Sequence, residues 1–291
     1  MRVMLTGGKG MLARTLLAEL GADFDIVPTD LPEADITDEE CIDAVVARVA
    51  PDAVVHCAAM TAVDKCETER ELAFRVNARG TANVAAACHR HGMRLIAIST
   101  DYVFGGDAGG PFSEFDAADG GRTVYGRSKF AGEEAVRALC PNHVIVRISW
   151  LYGAGGPSFV HAMMSLADGT RPVLKVVGDQ RGNPTSAQAV ARALRGLLAR
   201  PKLCGTFHAT CEGEATWAEF AREIFRLAGK GQRVEDCTTE EFPRPAPRPK
   251  DSRLEKLGLR LAGLPPMPHW KDALAEFMKS EWGTENGKHK N

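Results

Sequence analysis

Tyr125 and Lys129 stand four residues apart in VYGRSKFAGEE, a segment with helical patterning, so their side chains share one helix face. Upstream, the hydroxyl residue Thr100 closes the apolar run RLIAIST. A free tyrosine titrates near ~10 and is a poor proton donor at neutral pH. A lysine ammonium one turn away favours the phenolate and lowers that value. The same ammonium can hold a ribose. A threonine hydroxyl beside the pair can hydrogen-bond a carbonyl oxygen and fix its orientation. The trio is therefore suited to polarising and protonating a carbonyl group. Asp101 and Tyr102 follow Thr100 directly, and Trp150 closes the run HVIVRIS. Both places lie where strands of an open α/β sheet end and ligands bind. Trp150 can stack on a sugar ring or a base there, or fill a core.

A carbonyl acid needs a hydride donor, and the first residues supply a candidate site for one. Gly7, Gly10 and Ala13 give G-x-x-G-x-x-A between an apolar run and a helical pattern. Gly7 permits a tight turn, Gly10 lets the backbone approach a pyrophosphate, and Ala13 allows close helix packing. Asp30 follows Gly10 by twenty residues, at the end of the second apolar run. A carboxylate there accepts bonds from adenosine ribose hydroxyls and repels a 2′-phosphate, which favours NADH over NADPH. Asp35 and Ile36 are placed to meet the amino group and the face of an adenine. Asp38 reads equally well as a helix N-cap. Small Ala58 and Ala59, after the run AVVHC, leave room for a cofactor to pass.

The elements that must position these residues alternate. Strand candidates are 2–6, 24–28, 53–57, 94–99 and 143–149. Helix candidates are 10–20, 38–50, 70–91, 123–140 and 157–168. The strands are near-continuous β-branched runs, which suits burial on both faces. The expectation is an α/β fold: a Rossmann-type, doubly wound parallel sheet with right-handed crossovers. It occupies 1–150, and a smaller C-terminal substrate-binding domain occupies 151–282. In that second part, strands at 173–177 and 205–209 alternate with helices at 186–200, 216–228 and 268–280. The helix at 186–200 is expected to return to the first sheet. FPRPAPRPK (242–250) should be extended, with Arg248 placed to contact a phosphate or to sit on the surface. The tail 283–291 is polar and should be disordered.

The motifs GGKGMLA, PDAVVHCAAMTAVDKCE, RVNARGTANVA, ISTDYVFGG, VYGRSKFAGEE, RISWLYG and VVGDQRGNPT resemble the dTDP-4-dehydrorhamnose reductase family. That family belongs to the extended short-chain dehydrogenase/reductases, and the resemblance runs from residue 1 to about 280. It implies reduction of the C4 ketone of a dTDP-4-keto-6-deoxy sugar by NADH or NADPH, giving dTDP-L-rhamnose for cell-surface polysaccharide. It implies Tyr125 as proton donor, Lys129 as its modulator and ribose anchor, and Thr100 in place of the superfamily's catalytic serine. Thr100, Asp101 and Trp150 would contact the sugar nucleotide, with Tyr102 beside them. Gly10, Met11, Leu12, Asp30, Asp35, Ile36, Ala58, Ala59 and Met60 would line the cofactor. Asn77 resembles the helix asparagine that positions the framework. The chain departs from the pattern in carrying GKGMLA for GxxGQLG, Met60 for an aromatic or polar residue, and no prolines within GPFSEFDAADGGRTVYG.

The bulk properties narrow the alternatives. A net charge of −2 gives no drive toward nucleic acid or membrane. No apolar run is long enough to cross a bilayer, and the N-terminus shows no signal-peptide pattern. Eight cysteines without a CxxC pair suit buried free thiols in the cytoplasm. No His or Cys spacing suggests a metal. A monomer or homodimer is expected. Two rivals remain: an epimerase or dehydratase of nucleotide sugars, and a non-catalytic regulatory subunit on the same fold. A dehydratase should carry an Asp-Glu pair beside the hydroxyl residue, where this chain has Asp101-Tyr102. A regulatory subunit has no need of an intact Thr100, Tyr125 and Lys129.

Overall fold

The computed structural model describes residues 1–106 and 109–283, so nearly all of the tail read as disordered lies outside the described residues. Five strands open the chain: β1 (Arg2–Thr6), β2 (Asp25–Thr29), β3 (Ala53–His56), β4 (Arg94–Thr100) and β5 (His143–Ile148). All are parallel, and every residue of β3 and β4 is buried. Successive side chains point to opposite faces, so an apolar residue at every position fills two cores. Val3, Leu5, Ile96, Ile98, Val144 and Val146 join one cluster, and Met4, Val54, Leu95, Ala97 and Ile145 the other.

Helices cover both faces. They are α1 (Met11–Leu20), α2 (Glu39–Val49), α3 (Val63–Thr68), α4 (Arg70–Phe74), α5 (Thr81–Arg90) and α6 (Val124–Leu139). Asp38 caps α2, its carboxylate accepting from the Cys41 N–H at 3.0 Å, so the N-cap reading of this residue is the one realised. Residues 70–91 are not one helix. α4 runs into a π-helical turn at Arg75–Gly80 before α5 begins. The wider turn coincides with a buried Asn77, whose amide is spent on tertiary bonds described below.

Beyond residue 150 come β6 (Leu151–Tyr152), α7 (Phe159–Leu166), β7 (Val173–Val177), β8 (Arg181–Gly182), β9 (Thr185–Ser186), α8 (Ala187–Leu198), β10 (Gly205–His208), β11 (Ala215–Thr216), α9 (Trp217–Leu227), β12 (Arg233–Cys237), α10 (Leu257–Leu261) and α11 (Trp270–Trp282). α8 packs against α1 on the first sheet. β10 then pairs with β5, completing the order β10-β5-β4-β3-β1-β2. The sheet thus takes its edge strand from beyond the expected boundary at 150. The remaining strands form three small pairs, β7 with β12, β8 with β11 and β6 with β9. Residues 242–250 carry neither helix nor strand and run back to the first part of the chain, where the Ala246 N–H reaches Asp64 Oδ1 at 3.2 Å.

Candidate active site

A cleft of about 540 Å³ opens at the C-terminal edge of the sheet, where the doubly wound topology changes direction. The sequence signals converge on it. Gly7, Gly10, Met11, Leu12, Ala59, Thr100, Asp101, Tyr102, Tyr125, Lys129 and Trp150 all line it. Lys9, Cys57, Thr61, Val63, Ser149 and the loop Gly155–Pro157 also line it and were not singled out from sequence.

The glycine turn is built for close approach. Gly7 has φ +67°, and a Cβ there would sit 2.8 Å from the Ala58 backbone. Ala58 is therefore the floor beneath the turn rather than part of the cleft wall. Gly10 is the N-cap of α1 and supplies no side-chain acceptor, and the first helical turn has no acid. The N–H groups and positive dipole end of α1 are left to whatever enters the cleft. This donor set fits a pyrophosphate. Asp30 stands beside the turn: its carboxylate accepts from the Lys9 N–H and the Leu31 N–H, each at 2.7 Å, while the Lys9 ammonium bonds the Leu31 carbonyl at 2.6 Å.

Other residues placed on the cofactor lie off the cleft wall. Asp35 closes a local turn through the N–H and hydroxyl of Thr37, both at 2.8 Å. Ile36 is buried against Gly80 in the second core. Met60 lies behind the wall, where the buried Asn77 amide accepts from its N–H at 2.8 Å and donates to its carbonyl at 3.0 Å. Asn77 also donates to Ser128 Oγ at 3.0 Å, and Ser128 bonds the Tyr125 carbonyl at 2.8 Å. The asparagine thus ties the loop after β3 to the helix carrying Tyr125 and Lys129.

Helix α6 begins where Thr123 accepts from the Gly126 N–H at 2.9 Å, which sets Tyr125 in its first turn and Lys129 one turn on. Both are buried. Burial pushes the Lys129 ammonium down to about 8, against the pull of Glu133 and Cys57, and its Nζ donates to the Ile98 carbonyl at 2.8 Å. Burial also holds the Tyr125 phenol well above its ordinary value, with the Thr100 hydroxyl acting in the opposite sense. Loss of water dominates at the phenol, with Lys129 one helical turn away and its ammonium bonded to the Ile98 carbonyl. Tyr102 stands edge-on to Tyr125, ring centroids 5.6 Å apart. Thr100 caps the short turn Asp101–Val103: it accepts from the Tyr102 N–H at 3.2 Å and donates to Asp101 Oδ1 at 2.9 Å. Burial pushes the Asp101 carboxyl up to about 6, against the Ser252 and Thr100 hydroxyls.

Behind the site, one more turn along α6, burial works to raise the Glu133 carboxyl. Hydrogen bonds from Arg147 (2.7 and 2.9 Å) and Ser99 (2.5 Å) outweigh it and hold the group below its usual range. Arg248 does not line the cleft. It pairs with Asp64 at 2.9 Å, near enough to Tyr102 for its charge to act on that phenol.

Comparison with known proteins decides the family. The model of the RmlD substrate binding domain matches residues 1–282. The chain belongs to the dTDP-4-dehydrorhamnose reductase family. It is 44% identical to a dTDP-4-dehydrorhamnose reductase of Streptomyces griseus, over 94% of this chain and 92% of that one. It is also 40% identical to a probable dTDP-4,6-dihydroxy-2-methyloxan-3-one 4-ketoreductase of Streptomyces antibioticus, over 95% and 94%. Among solved structures, a Clostridium acetobutylicum dTDP-4-dehydrorhamnose reductase superposes with TM-score 0.93 at 43% identity, covering 96% of this chain and 99% of that one. A Bacillus anthracis dTDP-4-dehydrorhamnose reductase in complex with NADP gives the same TM-score and coverage at 40% identity. Members of this family are oxidoreductases with a Rossmann-like fold. Among the described residues no helix is long and apolar enough to cross a membrane.

Proposed function

We propose that this protein reduces the C4 ketone of dTDP-4-dehydro-6-deoxy-L-mannose to dTDP-L-rhamnose, using NADH or NADPH in the cytoplasm for polysaccharide synthesis. One observation carries the reading: Thr100, Tyr125 and Lys129 line the same cleft as the uncapped glycine turn. The N-terminus of α1 would hold the pyrophosphate of a nicotinamide dinucleotide, which when bound would supply the hydride for C4. The Tyr125 hydroxyl gives its proton to the C4 oxygen, so the ketone gains a hydride and a proton and becomes a secondary alcohol. Lys129, charged at neutral pH, stabilises the phenolate that this leaves and holds the ribose. The Thr100 hydroxyl fixes the carbonyl oxygen. Eight free cysteines suit a reducing compartment.

The Asp30 carboxylate beside the glycine turn supports a modest preference for NADH, softened by the neighbouring Lys9 ammonium. A second substrate is favoured by one finding. Relatives of 39% and 40% identity are named for other dTDP-4-keto sugars, so identity at this level leaves room for another sugar of that class. The test generates the 4-keto-L-lyxo sugar nucleotide in situ and follows loss of cofactor absorbance, with other dTDP-4-keto-6-deoxy sugars in parallel. Turnover with the L-lyxo substrate at the highest kcat/KM supports the reading. Stoichiometrically retained NAD with no net reduction would point instead to an epimerase.

A further inference from the structure

We propose that Trp217 and Gly182 are positioning residues, which hold the Trp150 indole as a fixed apolar wall against the hexose ring of the substrate. The inference rests on the sugar-nucleotide reading and adds residues to it. Trp150 has φ +45°, a left-handed conformation that is costly for a bulky residue and persists only where its surroundings impose it. The surroundings are on both sides of the chain. The Thr185 N–H donates to the Trp150 carbonyl at 3.2 Å. The indole lies flat on Trp217, centroids 3.5 Å apart and planes 6° from parallel. A Cβ on Gly182 would come within 2.4 Å of the same indole. Gly182 has no left-handed backbone, so it is the clash with the indole, not backbone conformation, that a side chain there would meet first. β8 and β11 pair Gly182 with Ala215, two residues before Trp217, so one short ladder sets both supports.

Trp217 is itself fixed. Its Nε1–H donates to Gln180 Oε1 at 3.1 Å, Gln180 donates to Thr239 at 3.0 Å, and Phe159 packs on the ring. Trp150 follows β5, which pairs with β4 so that Ile148 lies opposite Thr100. Whatever touches Trp150 in the cleft is thus close to the reacting carbonyl, which selects the hexose rather than the distant base. A wall set before binding spares the substrate the cost of ordering it.

The test compares Trp217→Ala, Trp217→Phe and Gly182→Ala with the wild type. KM for the dTDP-4-keto sugar, affinity for dTDP-L-rhamnose by calorimetry, and affinity for NADPH are measured on each. Trp217→Ala and Gly182→Ala should raise the sugar-nucleotide KM and weaken dTDP-L-rhamnose about tenfold, the size of one aromatic contact, with NADPH affinity unchanged. Trp217→Phe should restore most of the loss. If Trp217→Ala does not fold, Gly182→Ala and Trp217→Phe carry the comparison. Folded variants with wild-type sugar-nucleotide affinity, or with equal losses for NADPH, overturn the inference while leaving the reductase reading intact. A wild type that neither reduces the keto sugar nor binds dTDP-L-rhamnose overturns both.

Discussion

Tyr125 is the residue on which the chemistry turns. Its phenol is buried and protonated, beside a threonine hydroxyl and one helical turn from a charged lysine. Tyr125→Phe keeps the ring and its edge contact with Tyr102 and loses only the acidic hydroxyl. The expected result is a fall in kcat of about 10²–10⁴-fold, with NADH affinity nearly unchanged. Near wild-type turnover would transfer the proton to Asp101, the other buried acid of the cleft. Lys129 supplies a pH test. Its ammonium titrates at about 8, so the charge is present below that pH and is lost as pH rises through it. Since kcat/KM reports the free enzyme, it should fall on the alkaline side from about pH 8. A profile flat well beyond that would show that the charge is not needed. Asp30 sets a third expectation: kcat/KM for NADH should exceed that for NADPH by less than about tenfold, because the site is partly exposed and therefore screened. Asp30→Ala should close the gap, and an unchanged ratio would remove Asp30 from the ribose site.

The elements hold these residues through a few bonds that cross between them, and Asn77 makes the most consequential ones. Its amide joins the loop after β3 to α6 through Met60 and Ser128. Asn77→Ala strands buried donors and acceptors on both sides and should cost about 2–3 kcal/mol by denaturant unfolding, with kcat reduced as α6 shifts. Unchanged stability would mean that the loop and the helix are held by packing alone. The parallel strands of the sheet were legible because burial on both faces leaves near-continuous β-branched runs, as in RLIAIST. The break at residues 75–80 was not legible, because a π-turn keeps helical patterning and only the inward amide of Asn77 marks it. β12 was missed for a different reason: RVEDC alternates polar residues and pairs only with β7, so it carries little apolar signal. The cleft residues on the glycine turn and at strand ends were readable from spacing. Trp217 was not, since its role comes from a ladder that brings β8 and β11 together from distant parts of the chain.

At the scale of the whole molecule, the Pro-rich segment 242–250 is a strap from the C-terminal part to the mouth of the cleft. Asp64, on α3 next to the cleft residue Val63, receives it. Its carboxylate accepts from the Ala246 N–H at 3.2 Å, pairs with Arg248 at 2.9 Å, and has Arg244 at 3.9 Å. The four prolines at 243, 245, 247 and 249 deprive the strap of donors and limit its conformations, so few other bonds can hold it. The Asp64 side chain is 33% exposed, which leaves its ion pairs partly screened and makes the backbone bond the firmer contact. Asp64→Ala removes all three interactions at once. The strap should then open more readily by about 1 kcal/mol, roughly fivefold in hydrogen exchange at the Ala246 amide and at the nearest others, those of Arg244 and Arg248, with the sheet peptides unaffected. Raising the salt concentration on the wild type should reproduce only a small part of that change, because salt weakens the arginine pairs and spares the amide bond. Exchange that is equally fast in wild type and variant would show that Asp64 does not hold the strap.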